Sequence, residues 1–368
     1  MSYTPENILN ALRHVDDPDI HKDLVTLNMI SDIELTDNKV KFRLTLTTPA
    51  CPLKEKIKND CINAIHEYVS KELEVEVVVD ANVTTLRDIG VNILPSVKNI
   101  ICVASGKGGV GKSTVAVNLA VSLAKQGASV GLIDADILGP SIPTMLGVKG
   151  KRPDTRLIKD KHYIVPIEVE GIKVLSIGFL VDERQAIVWR GPMVSSALRQ
   201  FVTDCIWGKL DYMIVDMPPG TGDVHLTVAQ TVNVTGAVIV TTPQDVALAD
   251  ARKAMAMFRL ESINVPILGV IENMAYFTPA ELPENKYYIF GKDGGKKMAE
   301  EYEVPFLGQI PIVQSIREGG DEGKPASIYG RDNQIVANAF DEIATNIARQ
   351  VAIKNANLEA QKADTVLS

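Results

Sequence analysis

The stretch Ile100-Ile101-Cys102-Val103-Ala104, followed by Ser105-Gly106-Lys107-Gly108-Gly109-Val110-Gly111-Lys112-Ser113-Thr114, constrains this chain more than any other. An apolar run of strand length meets a glycine-rich turn, and the turn opens a helical run from Val115 to Ala124 that stops near Gly127. Gly106 and Gly111-Lys112-Ser113 satisfy G-x-x-x-x-G-K-[ST] in the strand, loop and helix order that a phosphate-binding P-loop requires. The glycines let backbone N–H groups turn inward around phosphate oxygens, with the positive end of a helix behind them. Residues Gly106 to Thr114 are therefore the expected nucleotide-binding loop. Lys112 would bridge the β- and γ-phosphates, and the Ser113 hydroxyl would complete the shell of a Mg²⁺ ion.

Lys107 sits one residue after the first glycine, where a side chain points away from the cradle and is better placed to reach across an interface. The run Lys107 to Thr114 resembles the deviant Walker A motif of the MinD/ParA class. In that class such a signature lysine contacts the nucleotide held by the facing subunit, so the resemblance implies a nucleotide-sandwich homodimer.

At 368 residues the chain can hold two domains, or one large domain with an accessory piece. Its net charge of −8 argues against broad electrostatic binding to nucleic acid or an anionic membrane, while leaving room for a local basic patch. The first residues carry no basic and apolar leader pattern, and no apolar run is long enough to span a bilayer. A cytoplasmic protein without nucleic-acid or membrane partners is expected. Cys51, Cys61, Cys102 and Cys205 lie far apart and form no C-x-x-C pair, so neither a disulfide framework nor a zinc ribbon is expected.

Residues 1–85 read as a small α+β unit. Thr4 and Pro5 signal a helix through about Val15, ended by Asp16-Asp17-Pro18. Val40, Phe42, Leu44 and Leu46 alternate with polar residues as a half-buried strand, Pro52 opens an amphipathic helix, and Val75-Val77-Val79 mark another strand. The acidic loop through Asp17-Pro18-Asp19 and the turn from Thr45 to Cys51-Pro52 resemble the PaaD-like domain of iron–sulfur assembly proteins. Cys51 would lie at the mouth of a helix, whose N-terminus favours thiolate and so suits a reactive or metal-binding cysteine. A cysteine that merely packs at a strand end fits the sequence equally well. Residues 86–98 read as a linker, and 355–368 as a polar, frayed tail.

From residue 99 to 354, strands and helices alternate, predicting an α/β fold with a mostly parallel sheet covered by helices on both faces. Ser129 to Asp136 reads as a buried strand ending in two acids. Asp134 would hold a Mg²⁺-bound water and Asp136 would orient the attacking water. Leu210 to Asp216 is a second such strand, followed by Met217-Pro218-Pro219-Gly220. Asp216 takes the place of a Walker B acid, and the Gly220 N–H would sense the γ-phosphate.

Trp189-Arg190-Gly191-Pro192-Met193, the loop from Asp216 to Asp223, Glu272-Asn273-Met274 and Ile316-Arg317-Glu318-Gly319-Gly320-Asp321 together resemble Mrp/ApbC proteins, ATP-dependent iron–sulfur cluster carriers. The likeness runs from the N-terminal unit to about residue 350. It implies apo iron–sulfur proteins as clients and gives Asn273 a contact with the adenine edge. A guanine-reading N-K-x-D is absent, since Asn285-Lys286 is followed by Tyr287-Tyr288, which favours ATP over GTP.

One feature of that family is missing. Mrp-type carriers place a C-x-x-C pair between an E-N-M-x-Y-F element and an F-G turn, whereas here Phe277 to Phe290 contains no cysteine. Thiolates are the chief ligands of such clusters, and Glu281 and Glu284 are hard donors that replace them poorly. If a cluster binds, Cys51 is the best-placed ligand. Three readings compete: an ATPase of cluster assembly or delivery, an ATP-switched scaffold without its own cluster, and a MinD/ParA-like positioning ATPase. The last would need a basic amphipathic C-terminal helix, and residues 343–354 offer few cations.

Overall fold

The computed structural model describes residues 3–36, 38–85, 93–136, 139–179, 191–279, 281–282, 284–329 and 334–367. The chain divides into two compact units, Met1–Leu86 with Ala348–Ser368, and Arg87–Ile347.

In the first unit, Thr4 caps the helix Pro5–Leu12. Its hydroxyl accepts the Asn7 N–H while the Asn7 side chain accepts the Thr4 N–H at 3.0 Å, a reciprocal capping box. The strand Lys39–Leu46 turns Val40, Phe42, Leu44 and Leu46 inward, as its alternation predicts. It is the middle strand of three, between Ile30–Leu35 and Glu74–Ala81. The helix Lys54–Tyr68 lays Ile57, Cys61 and Ile65 on that core, each large apolar side chain contributing about 1.5–3 kcal/mol by burial. Ile30–Leu35 escapes sequence reading because Asp32 adopts a left-handed φ of 52° and the register shifts between Ser31 and Glu34, which breaks the period of two.

The C-terminus corrects an expectation. The stretch from Asn355, read as a frayed tail, is the end of the helix Gln334–Leu367. Within the first unit this helix is held by polar contacts that periodicity does not reveal: Arg349 Nε pairs with Asp19 Oδ1 at 2.6 Å, and buried Asn355 donates Nδ2–H to the Thr84 carbonyl at 2.9 Å. Of the expected linker, residues 86–92 lie outside the described residues, and its end already leads into the strand Val97–Ala104.

The second unit is built on an eight-stranded sheet. From one edge the order is Ile167–Val169, Ile172–Ser176, Val130–Asp134, Leu210–Asp216, Val97–Ala104, Gly236–Thr241, Ile267–Glu272 and Phe306–Gln309. All neighbours are parallel except the first pair. The strand leading into the glycine loop is thus interior, and its residues from Asn99 to Ala104 are buried. The helix Lys112–Lys125 is buried over most of its length, as expected of an element covering the sheet.

Candidate nucleotide site

Sheet register assembles the site. Ser176 pairs with Asp134, Asp134 with Asp216, and Asp216 with Val103, so the ends of four neighbouring strands form one row. Carboxyl ends of parallel strands are where α/β sheets hold ligands. Asp134 and Asp216 are fully buried in that row. Lys112, at the first turn of its helix, donates Nζ–H to Asp216 Oδ1 at 2.6 Å and lies 3.2 Å from Ser113 Oγ and 3.8 Å from Asp136 Oδ2. Asp134 accepts the Ser176 hydroxyl at 2.8 Å and the Asp136 N–H at 3.2 Å. Lys112, Ser113, Asp134, Asp136 and Asp216 therefore converge as the sequence predicts.

The electrostatics of this group favour a further cation. Burial, and then the Asp216 charge, push the Asp134 carboxyl up to about 8. Burial also raises Asp216 above the usual carboxylate range, against the pull of Lys112. Asp216 Oδ2 is buried and has no hydrogen-bond partner among the described residues. That orphaned acceptor, with the Ser113 hydroxyl nearby, fits a hydrated Mg²⁺. Among the described residues no three His, Cys, Asp or Glu side chains are grouped to hold a metal by themselves, so the ion's remaining ligands would be phosphate oxygens and water.

The loop conformation depends on two glycines. Gly109 and Gly111 take φ values of 82° and 81°, which side chains with a Cβ rarely adopt. Asn273 braces the loop from outside, its Nδ2–H donated to the Val110 carbonyl at 2.8 Å. The Gly220 N–H differs from its expected role. It donates to the Ser105 carbonyl at 2.9 Å, so in this conformation the proline–glycine loop is tied to the P-loop rather than offering that N–H to a phosphate. Lys107 is exposed; its carbonyl accepts the Ser105 hydroxyl at 3.0 Å, while its ammonium makes no ion pair among the described residues. Beside Gly111 and Asn273 opens a cleft of 730 Å³ whose apolar walls include Met274, Pro311, Ile312 and Ile316.

Two contributors, Ser176 and His225, were not singled out from sequence, and a third, Glu272, was read only as part of a motif. Ser176 holds Asp134, yet a lone serine at a strand end carries no signal. Fully buried Glu272 accepts the Gly295 N–H and the Gln309 Nε2–H, the latter at 2.8 Å, tying the helix Gly294–Glu301 and the strand Phe306–Gln309 to the strand that carries Asn273. His225, in the helix Asp223–Thr231 after the proline–glycine loop, is buried with Nε2 unpartnered among the described residues, and burial lowers its pKa. The expected Trp189-Arg190 segment lies outside the described residues.

The cysteines bring a second correction. Cys51 precedes its helix by a short turn, and burial, aided by Asp17 and Asp19, pushes its thiol up rather than down. A helix N-terminus acts over its first turn and is outweighed here by desolvation and two nearby carboxylates. Cys61, Cys102 and Cys205 are buried, each pushed up to about 12. Cys51 therefore remains the most accessible thiol, without being an activated one. Where the family carries its cysteine pair, Phe277 and Tyr287 exchange backbone hydrogen bonds of 2.9 and 2.8 Å, so the flanks meet as a bridge without thiols.

A buried lysine on a glycine loop, facing carboxylates at the ends of parallel strands, defines a P-loop NTPase. Residues 96–348 match the ParA family model, described as NUBPL iron-transfer P-loop NTPase, and residues 5–78 match a model for iron–sulfur cluster assembly proteins. An iron–sulfur cluster carrier protein of Synechocystis sp. is 48% identical over 351 residues, covering 95% of this chain and 98% of its own. A carrier protein of that description from Escherichia coli K12 is 40% identical, over 94% of this chain and 91% of its own. Among solved structures, a nucleotide-binding protein from Archaeoglobus fulgidus in complex with ADP superposes with a TM-score of 0.55 at 39% identity, covering 63% of this chain and 88% of its own. The chain belongs to the NUBPL-type iron-transfer P-loop NTPase family and is an ATPase. Among the described residues no helix is long and apolar enough to cross a membrane.

Proposed function

We propose that the chain is a Mg²⁺-dependent ATPase that delivers iron–sulfur clusters to apo-proteins, acting as a homodimer in the cytoplasm. The observation that carries this reading is the buried Lys112–Asp216 pair between Ser113, Asp134 and Asp136, in a chain whose two regions match cluster-handling families. Lys112 leaves Asp216 for the β- and γ-phosphates when nucleotide binds. Asp216 and Asp134 would hold a hydrated Mg²⁺ through its water, the ion would supply charge neutralisation at the phosphates, and Asp136 orients the attacking water. Lys107, whose ammonium makes no ion pair among the described residues, serves the nucleotide of the facing subunit.

Asn273 reads the base through its acceptor. With Nδ2–H committed to Val110, it offers Oδ1, which suits the 6-amino group of adenine and opposes the 6-carbonyl of guanine. Asn273→Asp removes the donor and sets a carboxylate against the Val110 carbonyl. ATP affinity is expected to fall about tenfold, a change of about 1.4 kcal/mol, measured by calorimetric titration.

The cluster is cargo in this reading, and its ligands are few. One accessible cysteine per subunit supplies at most two thiolates to a dimer, so retention should depend on added thiols such as glutathione. After anaerobic reconstitution with glutathione, iron and sulfide should fall in Cys51→Ala and remain unchanged when Glu281 and Glu284 are replaced by alanine. Equal cluster content in wild type and Cys51→Ala rules Cys51 out. No cluster in either protein favours the scaffold reading, for which the lack of a C-x-x-C pair is the specific support.

A further inference from the structure

In an acidic chain, the segment from Lys149 to Lys161 is the exception. Lys149, Lys151, Arg152, Arg156, Lys159 and Lys161 stand against only Asp154 and Asp160. This segment opens an antiparallel hairpin, Asp154–Ile158 with Lys161–Val165, that pairs with no other strand among the described residues. The two strands differ in their outer edges. On Lys161–Val165 that edge is engaged, since the Ile164 N–H donates to the Asp204 carbonyl at 2.7 Å and the Ile206 N–H to the Ile164 carbonyl at 2.8 Å. Every residue of Asp154–Ile158 is exposed, and among the described residues the strand makes no backbone hydrogen bond beyond its hairpin partner.

Most cations along this edge also lack a counter-ion among the described residues. Lys161 is neutralised by Asp204 at 2.6 Å, but Arg152, Arg156 and Lys159 have no ion pair among the described residues. Leu157 and Ile158 are 59% and 41% exposed beside them. An open strand edge supplies N–H and C=O groups to an added strand, alternate side chains set its specificity, and uncompensated cations select an acidic one.

We propose that the outer edge of Asp154–Ile158 is a docking edge for an extended acidic segment of a partner protein, which adds as a strand beside Arg156 and Lys159. This inference is independent of the nucleotide reading, because none of these residues lies in the site described above.

The test uses the full chain and a short fluorescent peptide of alternating Glu and Val, with its Lys and Val counterpart and a backbone N-methylated Glu and Val version as probes. The acidic peptide should bind, more weakly at high salt, and Arg156→Glu/Lys159→Glu should weaken it by about tenfold or more. ATP turnover of that variant should stay unchanged, which also reports that it is folded, and Arg156→Gln/Lys159→Gln should give an intermediate loss. No binding of the acidic peptide, equal binding of the basic one, or an unchanged affinity in the charge-reversed variant would overturn the proposal. Equal binding of the N-methylated peptide would reduce the contact to charge alone and overturn strand addition. Self-association abolished by the same variant without peptide would assign the edge to a second copy instead.

Discussion

Lys112→Ala is expected to abolish ATP binding and turnover and to destabilise the nucleotide-free fold. The ammonium is buried, and it is the partner of Asp216 Oδ1 at 2.6 Å and lies 3.8 Å from Asp136 Oδ2. Removing it takes the charge that meets the β- and γ-phosphates, for which the loop holds no substitute. It also leaves Asp216 buried without its counter-ion, beside Asp134 in register. Breaking such a pair costs about 3–5 kcal/mol, readable as a lowered urea midpoint. The two losses separate in Lys112→Ala/Asp216→Asn, which should regain most of the stability and none of the ATP binding. Near-normal affinity and turnover in Lys112→Ala would sink the P-loop reading.

Asp136→Ala should retain ATP and lose hydrolysis by about 10²–10⁴-fold, the range a positioned acid–base group supplies. Asp136 sits at the rim of the buried row, partly exposed, with its own N–H fixed by Asp134, which is the placement of a group that acts on water rather than on bound phosphate. Lys107→Ala should impair turnover through the facing subunit. Mixing Lys107→Ala and Asp136→Ala chains then restores part of the activity, because one of the two composite sites regains both groups. Demonstrated mixed dimers with no rescue would count against a shared site.

Much of this site was legible in the chain because the signals are local. Glycines that must take positive φ, a lysine and serine at fixed offsets, and acids that end apolar runs each carry their reason within a few residues. The strand Lys39–Leu46 was legible for the same reason, since its alternation survives in the fold. What could not be read depends on pairing between distant residues. The Ser176 hydroxyl on Asp134, the Asn273 amide on Val110 and the Gly220 N–H on Ser105 join segments separated by long stretches of chain. The helical continuation past Asn355 was not legible because those turns are polar by composition, while the contacts that hold the helix before them, Arg349 on Asp19 and Asn355 on Thr84, join distant segments. For Cys51 the sequence leaves an activated and a merely packed thiol equally open, because a helix start is visible in sequence while the desolvation and the two carboxylates that raise its pKa are not.

The most direct test of the account is made in cells that lack their own copy of this chain, by measuring the specific activity of an iron–sulfur enzyme against the amount of its polypeptide. Wild-type protein should restore the activity per polypeptide, and Lys112→Ala, expressed at the same level, should not. Equal restoration by both would contradict an ATP-dependent role in cluster delivery.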